Sequence, residues 1–162
     1  MSTVKTLATL FLAIVVAACS AEPPAESQAL KLENYKGQWL VINYWAEWCK
    51  PCIKEIPELN ALDAKYPQVA VLGVNYDGAT GVPLAKQVKE LGIEFPIVAK
   101  DPAALLGVER PVVLPATFIL NPDGQLVHSL VGPQTLEALA MATGQVAVPV
   151  EDPASTETSE LP

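Results

Sequence analysis

The sequence is poor in histidine, cysteine and positive charge, and each shortage closes off a class of function. His128 is the only histidine, and the three cysteines are Cys19, Cys49 and Cys52. Four zinc ligands cannot be assembled from this set, because no cysteine lies downstream of the Cys49–Cys52 pair. With 10 Lys and Arg against 18 Asp and Glu, the formal charge is −8. That argues against a nucleic-acid binder, which needs a basic face. Much of the acidity sits in the flanks, at Glu22, Glu26, Glu151, Asp152, Glu157 and Glu160, with no Lys or Arg among them. The middle of the chain is only mildly acidic. A long apolar run is also missing: Leu7 to Ala18, apolar apart from Thr9, is too short for a comfortable transmembrane helix. With Lys5 ahead of it, the stretch reads as a secretory signal over residues 1–18.

What is present is organised around Trp48-Cys49-Lys50-Pro51-Cys52. The preceding run, residues 39–45, is rich in β-branched and aromatic residues and reads as a buried strand. After Cys52, the residues Ile53, Ile56, Leu59, Leu62 and Tyr66 recur at the helical period, which predicts a helix from about 50 to 66. The pair thus stands where a strand ends and a helix begins. There, free backbone N–H groups and the helix dipole favour a thiolate on Cys49. Cys52 lies one turn on, close enough for a disulfide. Pro51 fits the first turn, where its missing N–H costs nothing. An inert structural disulfide is the competing reading, but closing so short a loop constrains the unfolded chain little. Lys50 adds a nearby positive charge that favours the thiolate modestly.

The remaining elements alternate. A strand at 69–75, a helix at about 82–91, an extended piece at 95–99 and a turn of helix at 102–107 are expected. Then come a strand at 116–121, a turn at Asn121-Pro122-Asp123-Gly124, a strand at 125–131 and a last helix near 134–143. This order implies an α/β domain with a central mixed sheet and helices on both faces. Pro57, inside the first helix, removes a backbone donor and is expected to kink it. Residues 19–29 read as an extended tether, 30–145 as the one domain, and 146–162 as a disordered acidic tail. No internal repeat is visible.

The stretch Tyr44-Trp45-Ala46-Glu47-Trp48-Cys49-Lys50-Pro51-Cys52, with Leu114-Pro115-Ala116-Thr117-Phe118, resembles the thioredoxin superfamily over roughly residues 30–144. It is most similar to the membrane-anchored, extracytoplasmic TlpA-like reductases. The resemblance implies the thioredoxin fold with an insertion before the hairpin, and a protein-disulfide oxidoreductase without a cofactor. In those roles Cys49 attacks and Cys52 resolves the mixed disulfide. It also implies a cis Leu114–Pro115 bond opposite the pair. Trp45 and Trp48 are expected to pack beside the cysteines and shield them. Asn43 takes the place of a buried aspartate that assists proton transfer in ordinary thioredoxins, and asparagine cannot be a base. Glu47 and Asp77 are the candidate acids in its stead. The residue after Asp77 is Gly78, where a TlpA-like site often carries glutamate.

Val16-Ala17-Ala18-Cys19 resembles the bacterial lipobox, implying cleavage before Cys19 and a lipid on its sulfur. Acylating Cys19 leaves one clean cysteine pair. The implied setting is periplasmic and lipid-anchored. Ser20 lacks the aspartate that commonly retains lipoproteins at the inner membrane, so outer-membrane sorting is favoured. The implied partners are a membrane thiol electron donor and a disulfide-containing exported protein such as an apocytochrome c, and a monomer is expected. Two alternatives stand beside this reading. One is a copper metallochaperone using Cys49, Cys52 and His128; the other is a non-catalytic binding module with a structural pair.

Overall fold

A computed structural model of the chain describes residues 30–146. The signal, Cys19, the tether and all of the tail beyond Val146 lie outside those residues. A short 3-10 helix, Leu32–Tyr35, leads into β1, Trp39–Trp45. There follow α1 (Lys50–Lys65), β2 (Val69–Asn75), α2 (Gly81–Leu91), β3 (Ala116–Leu120), β4 (Leu126–Val131) and α3 (Leu136–Ala142). The sheet order is β2-β1-β3-β4. β1 runs parallel to β2 and antiparallel to β3, which pairs antiparallel with β4. The mixed sheet expected from the element order is therefore present.

β1 is buried on both faces, and its period of two sends alternate residues to two cores. Val41 and Trp45 join the cluster formed by Cys49, Cys52, Ile56, Leu59 and Leu62 of the α1 region and Leu139 of α3. Leu84, Val88 and Leu91 of α2 pack against that same cluster. Leu40, Ile42 and Tyr44 face the second cluster with Leu72, Val74 and Phe118. That face is covered by Leu32 and Tyr35 of the 3-10 helix and by Leu106 and Val108.

Two segments between α2 and β3 differ from the regular elements around them. Ile97 forms an isolated parallel bridge with Gly73 of β2, so the extended piece lies against the sheet's edge. Residues 102–107 make the single helical turn expected there, which does not extend into a regular helix. The Pro102 carbonyl accepts the Leu106 N–H at 2.9 Å, and the chain then reverses through Gly107 at φ +69°. A left-handed residue there ends any helix. Pro57 lies inside α1, as its position in the sequence requires.

Candidate active site

The CxxC occupies the place the sequence indicates. Cys49 is the N-cap of α1, with Lys50 and Pro51 in its first turn. The two sulfurs form a disulfide with Cα atoms 5.3 Å apart. Cys49 Sγ accepts the Cys52 N–H at 3.3 Å, so the helix end directs a donor at that sulfur. Cys49 is 4% exposed and Cys52 not at all. Cys49 is thus the more accessible of the two, by a narrow margin. Lys50 and Pro51 are exposed.

Pro115 is buried immediately before β3, and the Leu114–Pro115 peptide is cis. The register Tyr44↔Ala116 sets it level with the end of β1, from which the CxxC loop departs. Trp45 is fully buried in the cluster with both cysteines. Trp48, by contrast, is 64% exposed. Its Nε1 donates to Asp77 Oδ2 at 2.9 Å, and its ring stands edge-on to Tyr76. Those two partners hold the indole out over the loop after β2.

The candidate acids Glu47 and Asp77 both lie on the surface. Glu47 Oε2 accepts from Gln87 Nε2 at 3.1 Å, and Gln87 in turn accepts from the buried Asn75. Asp77 is occupied by Trp48. The acid beneath the pair is one that sequence reasoning missed, Glu55, one helical turn after Cys52 on the inward face of α1 and 1% exposed. Its Oε1 meets Asn43 Nδ2 at 2.5 Å, and its Oε2 accepts the Gln134 N–H at 2.9 Å. Asn43 Nδ2 also donates to Thr117 Oγ1 at 3.1 Å. Burial pushes the Glu55 carboxyl up to about 7, and the bonds from Gln134 and Asn43 only partly oppose it. A helix-period signal was available: Cys52, Glu55, Ile56 and Leu59 share one face, so Glu55 falls in an otherwise apolar stripe.

His128 lies on exposed β4, opposite Ile119. Among the described residues, no three His, Cys, Asp or Glu side chains come together as a metal-holding group. The copper alternative therefore loses the third ligand it requires. No described helix is long and apolar enough to cross a membrane.

This arrangement is a disulfide-bonded CxxC at a helix N-terminus, one turn before a buried acid whose carboxyl burial pushes up to about 7. A family model described as the AhpC/TSA family matches residues 16–129, and the chain belongs to that family. The thiol-disulfide oxidoreductase ResA of Bacillus thuringiensis (strain Al Hakam) is 32% identical over 116 residues, which is 70% of this chain and 66% of the relative. The match thus stops just short of two thirds of that protein's length. The crystal structure of StoA from Bacillus subtilis aligns with a TM-score of 0.53 and 29% identity, over 64% of this chain and 81% of that one. A thioredoxin-like superfamily protein, SPOA0173, aligns with a TM-score of 0.59 at 22% identity, over 73% and 85% of the two chains. The fold is thioredoxin-like.

Proposed function

We propose that the chain is a membrane-tethered, extracytoplasmic thiol–disulfide oxidoreductase that reduces disulfides of exported proteins. The observation that carries this reading is the Cys49–Cys52 disulfide capping α1, with Glu55 buried one turn below it. The relatives' name, thiol-disulfide oxidoreductase, supports the same chemistry.

In the reducing direction the Cys49 thiolate attacks one sulfur of the partner's disulfide. A Cys49–partner disulfide forms, and the other partner sulfur leaves as a thiolate that takes a proton. The Cys52 thiol then gives its proton to the Glu55 carboxylate, and the new thiolate attacks Cys49 Sγ. The internal disulfide forms, and the second partner sulfur leaves. Two electrons have passed to the partner, and a membrane thiol donor restores the dithiol. Glu55 suits the middle step because a general base works best with a pKa close to the operating pH. Pro115, lacking an N–H, leaves neighbouring backbone groups free to pair with an extended partner segment. Glu47 and Asp77 fix Gln87 and Trp48 at the rim.

The compartment follows from residues 1–19. A secretory signal ending in Val16-Ala17-Ala18-Cys19 would deliver the domain across the inner membrane and tether it by lipid on Cys19. Outside the cytoplasm disulfides persist, so a reductant there has substrates, and apocytochrome c is one candidate.

One trap tests the whole reading. In Cys52→Ser the mixed disulfide loses its resolving thiol, so exported partners should accumulate as covalent adducts on Cys49 in the membrane fraction. Cys49→Ser should give none. Adducts on Cys52 would reverse the two roles, and a folded, exported protein that traps nothing in either variant would leave only a binding module. Adducts found solely on soluble, unlipidated protein would remove the tether.

A further inference from the structure

Near the disulfide two buried side-chain polar atoms lack a partner, Trp45 Nε1 and Asn43 Oδ1, and only the second adjoins a titratable group. Asn43 is completely buried; its Nδ2 serves both Glu55 and Thr117, and its Oδ1 meets nothing. The Asn43–Glu55 contact is 2.5 Å. N–H···O bonds ordinarily span roughly 2.7–3.2 Å, whereas O–H···O bonds reach down to about 2.5 Å. The short contact suits a protonated carboxyl donating to an amide oxygen. Half a turn about the Asn43 side chain exchanges the oxygen and the nitrogen at that position.

Two orientations therefore compete, and the proton on Glu55 decides between them. An ionised Glu55 only accepts, so the amide NH2 must face it. A neutral Glu55 must donate its O–H, and an NH2 facing it offers no acceptor. With the amide turned, Oδ1 accepts from Glu55 and from the Thr117 hydroxyl, which can donate as readily as accept. Each orientation makes two bonds and leaves one amide atom unpaired, so neither is locked in.

Resting on the reading of Glu55 as the internal proton acceptor, we propose that Asn43 is a positioning residue whose side-chain amide turns as Glu55 gains or loses its proton. The buried carboxyl then has a matched partner in both states. An aspartate at position 43 could not do this, since it offers no donor while ionised.

Among the described residues no charged side chain bonds the Glu55 carboxyl. β1 contributes Asn43, β3 contributes Thr117, and the segment before α3 contributes the Gln134 N–H. On α1, Cys52 is held in the disulfide, and Glu58 accepts the Leu136 N–H. Lys54 on α1 and Glu137 on α3 are exposed.

The test uses the full chain in its oxidised form, isotope-labelled for NMR, so it does not depend on whether the protein reduces any partner. The Glu55 carboxyl carbon and the Asn43 NH2 signals are followed from about pH 4 to about pH 9. The Asn43 signals should move with the Glu55 midpoint. Nuclear Overhauser contacts from the Asn43 NH2 protons to the Thr117 side chain should be present at high pH and lost at low pH. In Glu55→Gln the Asn43 signals should not respond to pH. Contacts that persist at both ends in the wild type would overturn the proposal. So would a Glu55 carbon that does not titrate in this range, or an Asn43 response unchanged in Glu55→Gln. Failure of the oxidoreductase reading would show instead as missing adducts in the Cys52→Ser trap.

Discussion

Asn43 and Tyr44 are neighbours in β1, point to opposite faces of the sheet, and each holds a carboxyl group. On the α1 face Asn43 meets Glu55 at 2.5 Å; on the other face the Tyr44 hydroxyl donates to Asp101 Oδ1 at 2.6 Å. The two acids respond in opposite directions. For Glu55 burial dominates and raises the pKa to about 7. Burial also raises Asp101, but hydrogen bonds from Tyr44, the Ala103 N–H and Arg110, with the charge of Arg110, outweigh it and hold the carboxyl below its usual range. Arg110 Nε lies 2.7 Å from Asp101 Oδ2, and its guanidinium lies over the Tyr76 ring while donating to the Tyr76 carbonyl. Both acids are hydrogen-bonded, so hydrogen bonding alone does not separate them. A cation and access to water keep Asp101 charged as a tie, whereas their absence leaves Glu55 able to trade its proton near neutrality.

The comparison breaks most sharply at Glu55. Glu55→Gln should slow resolution of the mixed disulfide by about 100-fold, the lower range for losing general acid–base catalysis, and should flatten the pH–rate profile near pH 7. The same variant should fold more stably at high pH. The folded pKa of Glu55 is raised from 4.5 to about 7, so its favourable contribution is fully present below 4.5 and lost as pH rises through about 7. Removing the carboxyl should therefore add on the order of 3 kcal/mol above that window and little below it, read from urea midpoints against pH. A stability gain independent of pH would show that Glu55 does not titrate in the fold.

The packing around the CxxC face can be perturbed without touching its buried acid. A Cβ on Gly73 would lie 2.5 Å from Ile97 Cδ1, 2.9 Å from Trp45 Nε1 and 3.0 Å from Phe95. The isoleucine tip can yield, but the buried indole cannot easily do so. Gly73→Ala should cost about 1–3 kcal/mol, the usual range for overpacking, and leave the Glu55 titration in place. Unchanged thermal stability would mean that the strand edge is looser than its contacts require.

The smallest effect belongs to the opposite face. Asp101→Asn should cost about 1 kcal/mol, because the ion pair is partly exposed and one carboxylate acceptor is replaced by an amide. Since the Asp101 pKa is lowered, its contribution exists above its ordinary value of 3.8 and disappears as pH falls through the folded pKa. The variant's deficit should shrink in acid. Exchange with a small disulfide should stay within about twofold. A large loss of that exchange would mean the two faces are not chemically separate.

Much of this was legible from local pattern. The bounds of β1 and β2 follow from apolar runs, and α1 and α2 from helical spacing, because both depend on short-range periodicity. The CxxC declares its place at a helix start for the same reason. The acid was harder to read. Glu47 and Asp77 are close to the cysteines in sequence or at a strand end, but both side chains turn to surface partners. Glu55 stands in an apolar stripe of α1, but a glutamate in a helix ordinarily faces water, so the stripe alone does not single it out. What marks it out is Asn43, 12 positions away, and Gln134, 79 positions away.

By itself the sequence determined the order of strands and helices, the CxxC pair and the helix end it caps, since each rests on neighbours within a few residues. Tertiary structure alone decided which carboxyl is buried, which is tied to an arginine, and which tryptophan is exposed. Those outcomes depend on desolvation and on partners that meet only when β1, β3, α1 and the segment before α3 are brought together.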